Sequence, residues 1–389
     1  MMRAIVVGGA GGMGRVAARD LARSPGVHGV TIADLDGERA AAVASEIDAP
    51  GIELVGLSAD VTRPGFPDVL RGHDVCIASV AYRLNPLIAE ACLEAGCGYV
   101  DLGGLFHVAL QTLEYDGRFK EAGLTGVTCV GGSPGITNML AVAGGRELDP
   151  DSVRAIHVRL GSMDPSVEGL PLPIPYSLDT ILDEFTIPAM AFRNGEFMEV
   201  PPLGEPEEID FLPPIGRRGV FTTLHSEVAT LPRAFPGVRE VTFKIALEQA
   251  LVDRFQLIAA LGLASTEPIE AGGQLVRPRD VLSALGRRLP QAAGTEDIEC
   301  LRVVLEGTHE GRPATAVAES LIEPDRGAKM GGGALDTGIP PSIVAQMVAA
   351  GEVKGPGMFA PEEAVDPDLF FARLAERGIT YQVRILPKA

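Results

Sequence analysis

The sequence is poor in several residue types, and each shortage excludes a class of protein. It has no tryptophan and only five cysteines in 389 residues, without a CxxC pair, so we expect reduced thiols rather than a disulfide framework. Its six histidines lie singly, with no HExxH spacing, and we expect no metal. Basic residues number 33 against 52 acidic ones, and the net charge of -19 disfavours binding to nucleic acid or to anionic membranes.

The amino-terminal residues contain an apolar run that soon breaks into glycines. This run is shorter than a signal-peptide core or a membrane span requires, and we expect a cytoplasmic protein without membrane contact. Hydrophobic residues make up 46% and charged residues 22% of the chain, which is the balance of a globular protein. Because 389 residues exceed what one hydrophobic core usually serves, we expect two domains.

The first part of the chain alternates short β-branched runs with helix-period stretches. This alternation is typical of a parallel sheet with crossover helices. The predicted strands are residues 3–8, 29–34, 52–57, 74–79, 98–102 and 126–131. After Pro150 the strands become longer and alternate in polarity, and the segments 161–176 and 200–219 are predicted to be long loops near a cleft.

These patterns predict an α/β protein. Residues 1–132 form an N-terminal Rossmann domain with a doubly wound parallel sheet, and residues 133–335 form a second, mixed-sheet α/β catalytic domain. Residues 336–389 form a C-terminal segment with a helix predicted from Ser342 to Ala350.

A glycine-rich turn joins the first predicted strand to the first predicted helix. Residues 6–14 read VVGGAGGMG, with the spacing G-x-G-x-x-G at Gly9, Gly11 and Gly14, which is typical of dinucleotide binding. The second strand ends at Asp34, where a carboxylate accepts the ribose hydroxyls of NAD and repels the 2′-phosphate of NADP. NAD is therefore the predicted cofactor, and NADP, which Arg39 could favour, is the second choice. Alternatively, the glycines form only a turn and Asp34 caps a helix.

The cofactor site is predicted from this turn and from the neighbouring strand ends. Its residues are Gly9, Gly11, Gly12, Met13, Gly14, Asp34, Asp60, Ser79 and Val80. Asp60 follows the third strand, where it either neighbours the adenine ring or is a solvated turn residue.

Several longer segments resemble the saccharopine dehydrogenase family. They are ASVAYRLNPLIAEACLEAGCGYVDLGG (78–104), GGSPGITNMLA (131–141), PYSLDTILDEFTIPA (175–189), GEFMEVPPL (195–203), TTLHSEVATLPRAF (222–235), and the C-terminal DTGIPPSIVAQMVAAGEV and GPGMFAPEE. Within that family the chain is most similar to the lysine 6-dehydrogenase branch, because saccharopine-forming members usually carry an acidic residue where Ser133 precedes Pro134.

The resemblance implies an NAD(P)-dependent oxidoreductase that acts on the C–N bond of an amino acid through an imine. It further implies a homodimer and a C-terminal segment that packs back toward the first domain. The reaction it favours is oxidative deamination of the terminal amine of lysine or of a similar diamino acid.

Three polar residues follow or end strands of the predicted Rossmann sheet, and ligands bind at that edge of a doubly wound sheet. Tyr82 could position the nicotinamide or bind the amine, or it is a packing residue. Asp101 could hold an ammonium or iminium group, or it caps a turn. Asn138 could bind substrate, or it caps the helix that begins there. Tyr82 and Asp101 are catalytic candidates, and Asn138 joins Ser133 as a candidate for substrate binding.

The second domain offers acid–base candidates in the segment TLHSEVATLP. An imidazole suits proton transfer near neutral pH and a carboxylate can orient it, so His225 and Glu227 are predicted to be catalytic. Arg217, beside Arg218, could clamp a substrate carboxylate, although an exposed basic pair is usually only solvated. Lys244 lies in an alternating strand and is interpreted as a surface lysine.

Three other functions remain open at this point. The first is reductive condensation of an amine with an oxo acid, as a saccharopine reductase performs. The second is a lyase that retains NAD, and the third is a dinucleotide sensor without catalysis.

Overall fold

The computed structural model of the protein describes residues 2–174, 177–290 and 295–387. Residues 175 and 176 end the first predicted loop and begin the segment 175–189, and they lie outside the described residues. Within the described residues the chain forms two large sheets and a two-stranded hairpin. The predicted fold class, a Rossmann sheet followed by a mixed sheet, is confirmed.

The N-terminal elements alternate strand and helix, as the sequence predicts. They are β1 (Met2–Val7), α1 (Gly12–Arg23), β2 (Val27–Asp34), α2 (Gly37–Glu46), β3 (Glu53–Ser58), α3 (Phe66–Leu70), β4 (Val75–Ala78), α4 (Asn85–Ala95), β5 (Gly98–Asp101), α5 (Phe106–Leu113), α6 (Asp116–Ala122) and β6 (Thr125–Val127). Strands β4 and β5 are buried along their whole length, because helices cover both faces of a parallel sheet.

The middle of the chain builds the second sheet and the helices around it. Its elements are α7 (Ile136–Arg146), β7 (Ala155–Met163), α8 (Leu178–Thr186), β8 (Ala189–Arg193), β9 (Glu196–Val200), β10 (Glu207–Asp210), β11 (Arg217–Thr222), α9 (Glu227–Ala234), β12 (Glu240–Ala246), α10 (Gln249–Ala260), β13 (Ile269–Ala271), β14 (Gln274–Val276), α11 (Pro278–Gly286), β15 (Ile298–His309) and β16 (Arg312–Ile322).

The C-terminal elements contribute to both sheets. They are α12 (Gly332–Ala350), β17 (Gly357–Phe359), α13 (Pro361–Ala364), α14 (Pro367–Ala375) and β18 (Gln382–Pro387). Strand β17 pairs in parallel with β6, whereas β18 pairs antiparallel with β16. Helix α12 packs against α1, β4 and β5. The C-terminal segment therefore lies against both halves of the molecule.

Strand order explains where a ligand can bind. The first sheet has the order β17-β6-β5-β4-β1-β2-β3 with all neighbours parallel, and the order reverses between β1 and β4. A crevice forms beyond the carboxyl ends of the strands at such a reversal. The second sheet has the order β10-β11-β12-β7-β15-β16-β18, with β8 on β12 and β9 on β8, and mixes parallel with antiparallel pairs.

Several predicted boundaries are wrong for identifiable reasons. Helix α12 begins ten residues before Ser342, and Pro340 and Pro341 lie inside it, although proline usually marks the first turn of a helix. The predicted boundary between residues 335 and 336 therefore falls within one helix. The segment 200–219, predicted as a loop, contains β10 and the start of β11. Among the described helices, none is long and apolar enough to cross a bilayer.

Candidate active site

The glycine-rich turn between β1 and α1 is held by very close backbone packing. Gly8 has φ +78°, and a Cβ placed on it would lie 2.1 Å from the carbonyl oxygen of Ser79. A Cβ on Gly14 would lie 2.4 Å from the carbonyl oxygen of Gly8. The turn conformation therefore requires glycine at position 8, whereas the G-x-G-x-x-G spacing begins at Gly9. The adjacent glycines in VVGGAGG are the feature of the sequence that could have identified Gly8.

The start of α1 fits a pyrophosphate. Gly11 is the N-cap, and the amides of Gly12, Met13 and Gly14 form the first turn, where helix geometry offers them no acceptor within the helix. A Cβ on Gly12 would meet nothing within 4 Å, so the space beside these amides is open. No acidic residue lies in the first turn. Amides and helix dipole therefore favour an anion at this position.

Asp34 lies at the end of β2 beside this turn. One of its carboxylate oxygens accepts a hydrogen bond from the amide of Ala10 at 3.1 Å, and the other from the amide of Asp36 at 3.3 Å. A carboxylate has about four acceptor positions, so Asp34 retains capacity for ribose hydroxyls. It does not cap α2, because that role belongs to Asp36, which accepts from the amide of Arg39 at 3.0 Å.

The other predicted cofactor residues lie along the same edge of the sheet. The amide of Ser79 donates to Val7, and Val80 Cγ1 lies 3.0 Å from the Cβ position of Gly8, so both residues line the glycine turn. Asp60 follows β3, but its carboxylate accepts from the amide and hydroxyl of Thr62 and from Arg63. These contacts match the solvated-turn alternative for Asp60.

Asp101 ends β5 and is completely buried. It accepts hydrogen bonds from the Tyr99 hydroxyl at 2.7 Å, the Thr128 hydroxyl at 2.8 Å, and the amides of Gly103 and Cys129 at 2.6 and 2.9 Å. Burial raises the pKa of Asp101 while these hydrogen bonds oppose the rise. All four acceptor positions are occupied. This geometry favours a structural role, in which Asp101 ties together the loops that follow β5 and β6.

Tyr82 and Asn138 also have structural partners. The Tyr82 hydroxyl donates to the buried carboxylate of Asp183 on α8 at 2.7 Å, and burial followed by this contact raises the pKa of Tyr82. Asn138 accepts from the amide of Gly135 at 2.9 Å and donates to the Thr230 hydroxyl at 3.0 Å. Asn138 therefore caps α7, as its alternative interpretation states, and Tyr82 links the first sheet to α8.

Arg217 is placed far from the other candidates. Its side chain is 64% exposed and pairs with Asp210 at 2.9 Å across the β10–β11 hairpin. It begins β11, whereas His225 follows the opposite end, so roughly 17 Å of extended strand separates the two. The substrate-binding assignment of Arg217 is therefore not supported by the geometry.

Lys244 is not the surface lysine that strand alternation predicts. The residue is buried, and its Nζ lies 3.0 Å from Glu207. Glu207 also pairs with the buried Arg159 at 3.0 Å, so the three charges form a cluster on the second sheet.

The structure brings together Ser133, Thr137, His225 and Glu227. Glu227 begins α9 and is fully buried. One of its oxygens accepts from Nδ1 of His225, and the other accepts from the hydroxyls of Ser133 and of Thr137, the latter at 2.9 Å. The imidazole stacks on Phe243, with ring centroids 3.9 Å apart and planes 6° from parallel. Since Glu227 holds Nδ1, Nε2 is the ring nitrogen left for proton transfer.

Electrostatics favour the charged form of both members of this pair. Burial favours the uncharged imidazole, but the charge and hydrogen bond of Glu227, with the charge of Glu184, outweigh it and raise the pKa of His225 above 6.5. Burial likewise raises the pKa of Glu227, but His225 and the Ser133 hydroxyl outweigh it and lower that pKa below 4.5. Charge attraction has overcome desolvation for both groups.

Glu184 is a site residue that the sequence analysis missed. It lies on α8, is 5% exposed, and is near enough for its charge to act on His225. The signal was the acidic pair Asp183–Glu184 between Leu182 and Phe185, because two carboxylates flanked by core residues are unusual on a solvent-exposed helix face.

The pair lies at the ligand-binding edge of the first sheet. A Cβ on Gly103, after β5, would lie 2.4 Å from Pro134, and a Cβ on Gly104 would lie 2.7 Å from Tyr82. The loops after β4, β5 and β6 therefore meet beside Ser133, which contacts Glu227. Within the described residues no group of three or more His, Cys, Asp and Glu side chains is placed to hold a metal ion.

Family models match consecutive parts of the chain. The model described as saccharopine dehydrogenase NADP binding domain matches residues 5–127, and the one described as saccharopine dehydrogenase C-terminal domain matches residues 131–379. The carboxyaminopropylagmatine dehydrogenase of Synechocystis sp. is 25% identical, over 98% of this chain and 97% of that protein. The carboxynorspermidine synthase of Vibrio cholerae is 25% identical, over 77% of this chain and 75% of that protein.

Solved structures show the same fold. Apo saccharopine dehydrogenase (L-Glu forming) from Saccharomyces cerevisiae superposes with a TM-score of 0.76 at 17% identity, covering 99% of this chain and all of that one. Homospermidine synthase from Legionella pneumophila, in complex with NAD, gives a TM-score of 0.63 at 14% identity, covering 100% and 91%. Because the family models together span nearly the whole chain, the protein belongs to the saccharopine dehydrogenase family and is an NAD(P)-dependent dehydrogenase acting on a carbon–nitrogen bond.

Proposed function

We propose that the protein catalyses the reversible reductive condensation of an amine with an oxo acid or amino-acid aldehyde to give a carboxylated secondary amine. The observation that carries this proposal is the buried His225–Glu227 ion pair at the edge where the dinucleotide's reactive ring binds in a Rossmann fold. Two relatives aligned with most of this chain bear names that denote polyamine-related compounds with a carboxyl group, which favours condensation over deamination.

The condensation balances as follows. The neutral amine nitrogen adds to the carbonyl carbon, which forms the C–N bond, and one N–H proton passes to the oxygen. Protonation of the resulting hydroxyl lets water leave as the C=N bond forms, and a protonated imine results. The glycine turn and Asp34 would hold a reduced dinucleotide, which would supply the hydride for the C=N carbon. Loss of water needs a proton at the departing oxygen, and the reverse direction needs a base for the N–H proton.

His225 has the geometry for both proton transfers. With Nδ1 donating to Glu227, the charged imidazole can release a proton from Nε2 to the departing hydroxyl, and the neutral imidazole can accept one from the amine. Glu227 acts through His225: it fixes the ring orientation and favours the protonated imidazole. The hydroxyls of Ser133 and Thr137 fix Glu227 in turn.

Asp34 favours NAD as the cofactor. Its carboxylate stands at the end of β2 with acceptor positions left for two ribose hydroxyls, and it would repel a 2′-phosphate. The matched family model is described as an NADP binding domain, so the preference for NAD over NADP in this chain rests on Asp34.

Oxidative deamination of lysine or a similar diamino acid is the second candidate. Ser133 favours deamination, because the members of the family that form saccharopine usually carry an acidic residue at that position. In this structure Ser133 instead donates a hydrogen bond to Glu227.

The deciding experiment follows absorbance at 340 nm in both directions. NADH or NADPH is supplied with agmatine, a diamine or lysine, together with aspartate semialdehyde or 2-oxoglutarate, and oxidised cofactor is supplied with lysine or saccharopine. Consumption of NADH that requires both amine and carbonyl compound supports condensation. NADH formed from lysine alone, with release of ammonia, overturns it in favour of deamination.

A variant control separates chemistry from cofactor binding. His225→Asn should abolish turnover while leaving NADH fluorescence titration unchanged. Wild-type protein that binds NADH but is silent with every pair of substrates would indicate a lyase or a sensor, and would overturn both candidates.

A further inference from the structure

Arg83 lies in one of the loops that surround the crevice of the first sheet. Strands β1, β4, β5 and β6 end at this crevice, and the loops that follow them are residues 8–11, 79–84, 102–105 and 128–135. The structure describes all four loops, and Arg83 is the only lysine or arginine in them. Its side chain is 57% exposed, so a ligand in the crevice can reach this positive charge.

A buried carboxylate joins Arg83 to a second arginine. One oxygen of Asp183 accepts from Nη2 of Arg83 and from the Tyr82 hydroxyl, and the other accepts from Nη1 of Arg279 at 2.6 Å. Asp183 and Arg279 are both buried, and Nε of Arg279 also donates to the carbonyl oxygen of Ala264 at 2.8 Å. Two guanidinium groups and one carboxylate leave a net charge of +1. Because Arg279 already neutralises Asp183, this remaining charge is that of the exposed Arg83.

Most of the hydrogen-bonding capacity of Arg83 is unused. A guanidinium group has five N–H donors in a planar fork. Within residues 2–174, 177–290 and 295–387, the Arg83 side chain donates one hydrogen bond, to Asp183. Its Cζ lies 5.0 Å from the centroid of the Tyr82 ring, and this contact and Asp183 together hold the group in place. The donors that remain include a pair that can bind a second carboxylate in the bidentate geometry typical of arginine.

Helix α8 places this charge near the proposed proton donor. Asp183 contacts Arg83, and the charge of the next residue, Glu184, acts on His225. The Cα atoms of consecutive residues are about 3.8 Å apart, so Arg83 and His225 approach neighbouring positions of one buried helix. An oxo acid or an amino-acid aldehyde carries its carboxylate within a few bonds of the carbonyl carbon. Such a molecule has the right size to meet both side chains.

We propose that Arg83 binds the carboxylate of the oxo acid or amino-acid aldehyde and thereby selects carbonyl compounds that carry this group. This inference rests on the condensation proposed above. The net charge of -19 repels an anionic substrate from most of the surface, and Arg83 supplies the local attraction that such a substrate needs. If Arg83 served only to join the first sheet to α8, its loss would affect every substrate equally.

Carbonyl compounds that differ by one carboxyl group test this role. Aspartate semialdehyde is compared with β-aminopropionaldehyde, and 2-oxoglutarate is compared with succinic semialdehyde and with 2-oxobutanoate, each at saturating NADH and amine. Arg83→Gln should lower kcat/KM for the carboxylated compound by roughly tenfold to a hundredfold, mainly through KM. The compound without the bound carboxyl group should change by less than about twofold, as should the KM for the amine.

Two further variants serve as controls. Arg71 is 58% exposed and pairs with Asp68 at 2.8 Å, but it lies before β4, at the opposite edge of the sheet. Arg71→Gln removes an equally exposed ion pair and should leave the preference for carboxylated compounds unchanged. Arg83→Lys keeps the charge but loses the planar fork, and its preference should lie between those of wild type and Arg83→Gln. Circular dichroism establishes that each variant is folded.

The possible outcomes separate this inference from the proposed reaction. If wild type condenses amine and carbonyl compound and Arg83→Gln lowers kcat/KM equally for both members of a pair, Arg83 is only a link to α8 and this inference is overturned alone. If wild type instead forms NADH from lysine, condensation is overturned, and lysine is compared with cadaverine, which lacks only the carboxyl group. A selective loss for lysine in Arg83→Gln then supports carboxylate binding by Arg83, and an equal loss overturns it. Wild type that turns over none of these compounds would overturn both.

Discussion

Two carboxylates at the carboxyl edge of the first sheet, Asp101 and Glu227, are equally buried but differ in what surrounds them. Asp101 accepts from two amides and two hydroxyls, all of them neutral. Glu227 accepts from two hydroxyls and from an imidazole that can gain or lose a proton. Burial at the right edge of the sheet is common to both, so burial alone does not identify a catalytic group. Glu227 differs from Asp101 in having an imidazole partner, which the proposed proton transfer requires.

The same difference appears in the direction of the pKa shifts. Burial dominates at Asp101 and raises its pKa, because neutral donors compensate for lost solvation only in part. At Glu227 the charge of His225 reverses the effect of burial and lowers the pKa. These directions agree with a structural role for Asp101 and with the proton transfer that we propose for the His225–Glu227 pair.

The largest expected effect comes from breaking the ion pair. Glu227→Gln keeps the size of the side chain but removes the charge that raises the pKa of His225, and the turnover number should fall roughly 10²- to 10⁴-fold. The measurement is initial rate at 340 nm under saturating cofactor. Glu352→Gln, which removes a carboxylate paired with Arg373, serves as the control and should retain full activity. A loss smaller than about threefold in Glu227→Gln would contradict the role of the pair.

Asp101→Asn should instead destabilise the protein. The new amide group would face donors rather than acceptors, and we expect the free energy of unfolding to fall by roughly 2–4 kcal/mol. Urea denaturation followed by circular dichroism measures this, and the turnover number of the folded fraction should stay close to that of wild type. Unchanged stability with lost turnover would return Asp101 to the list of catalytic residues.

These two carboxylates also show how far the sequence leads. The segment TLHSEVATLP predicts His225 and Glu227 as partners because the residues are two positions apart, and the predicted pairing is found. For Asp101 the sequence shows only a place at a strand end, which predicts a catalytic role. Its partners Thr128 and Cys129 lie 27 and 28 residues further along the chain, so no local pattern reveals them. Strand-end position is visible in a sequence, whereas the saturation of a carboxylate by distant donors is not.

Other contacts of the site are also absent from the sequence patterns, because they join residues that are distant along the chain. The contact between Ser133 and Glu227 spans 94 residues, and that between Tyr82 and Asp183 spans 101. Both depend on how the two sheets pack and leave no local pattern. The Rossmann sheet and its glycine turn were predictable because hydrophobic periodicity and turn geometry are local.

Asp34 offers a third carboxylate for comparison, partly exposed and with free acceptor capacity. Asp34→Ser should raise the KM for NAD by about tenfold to a hundredfold and improve the use of NADP, because the charge that repels a 2′-phosphate is gone. The ratio of kcat/KM for the two cofactors is the measurement. Asp60→Ser is the matched control and should leave that ratio unchanged, since Asp60 is engaged by its own turn. An unaltered ratio in Asp34→Ser would exclude Asp34 from ribose recognition.

The smallest expected effect is a change in how stability depends on pH. The pKa of Glu227 is lowered, so its contribution is present above its ordinary value of 4.5 and is lost as the pH falls through the folded-state pKa. The pKa of His225 is raised, so its contribution is complete below 6.5 and is lost as the pH rises through the folded-state pKa. The difference in Tm between wild type and Glu227→Gln should therefore be widest between pH 4.5 and pH 6.5. It should become smaller as the pH falls below this range or rises above it. Parallel Tm curves for wild type and Glu227→Gln both within this range and on either side of it would show that the His225–Glu227 pair carries no charge, and the contrast between the two carboxylates would fail.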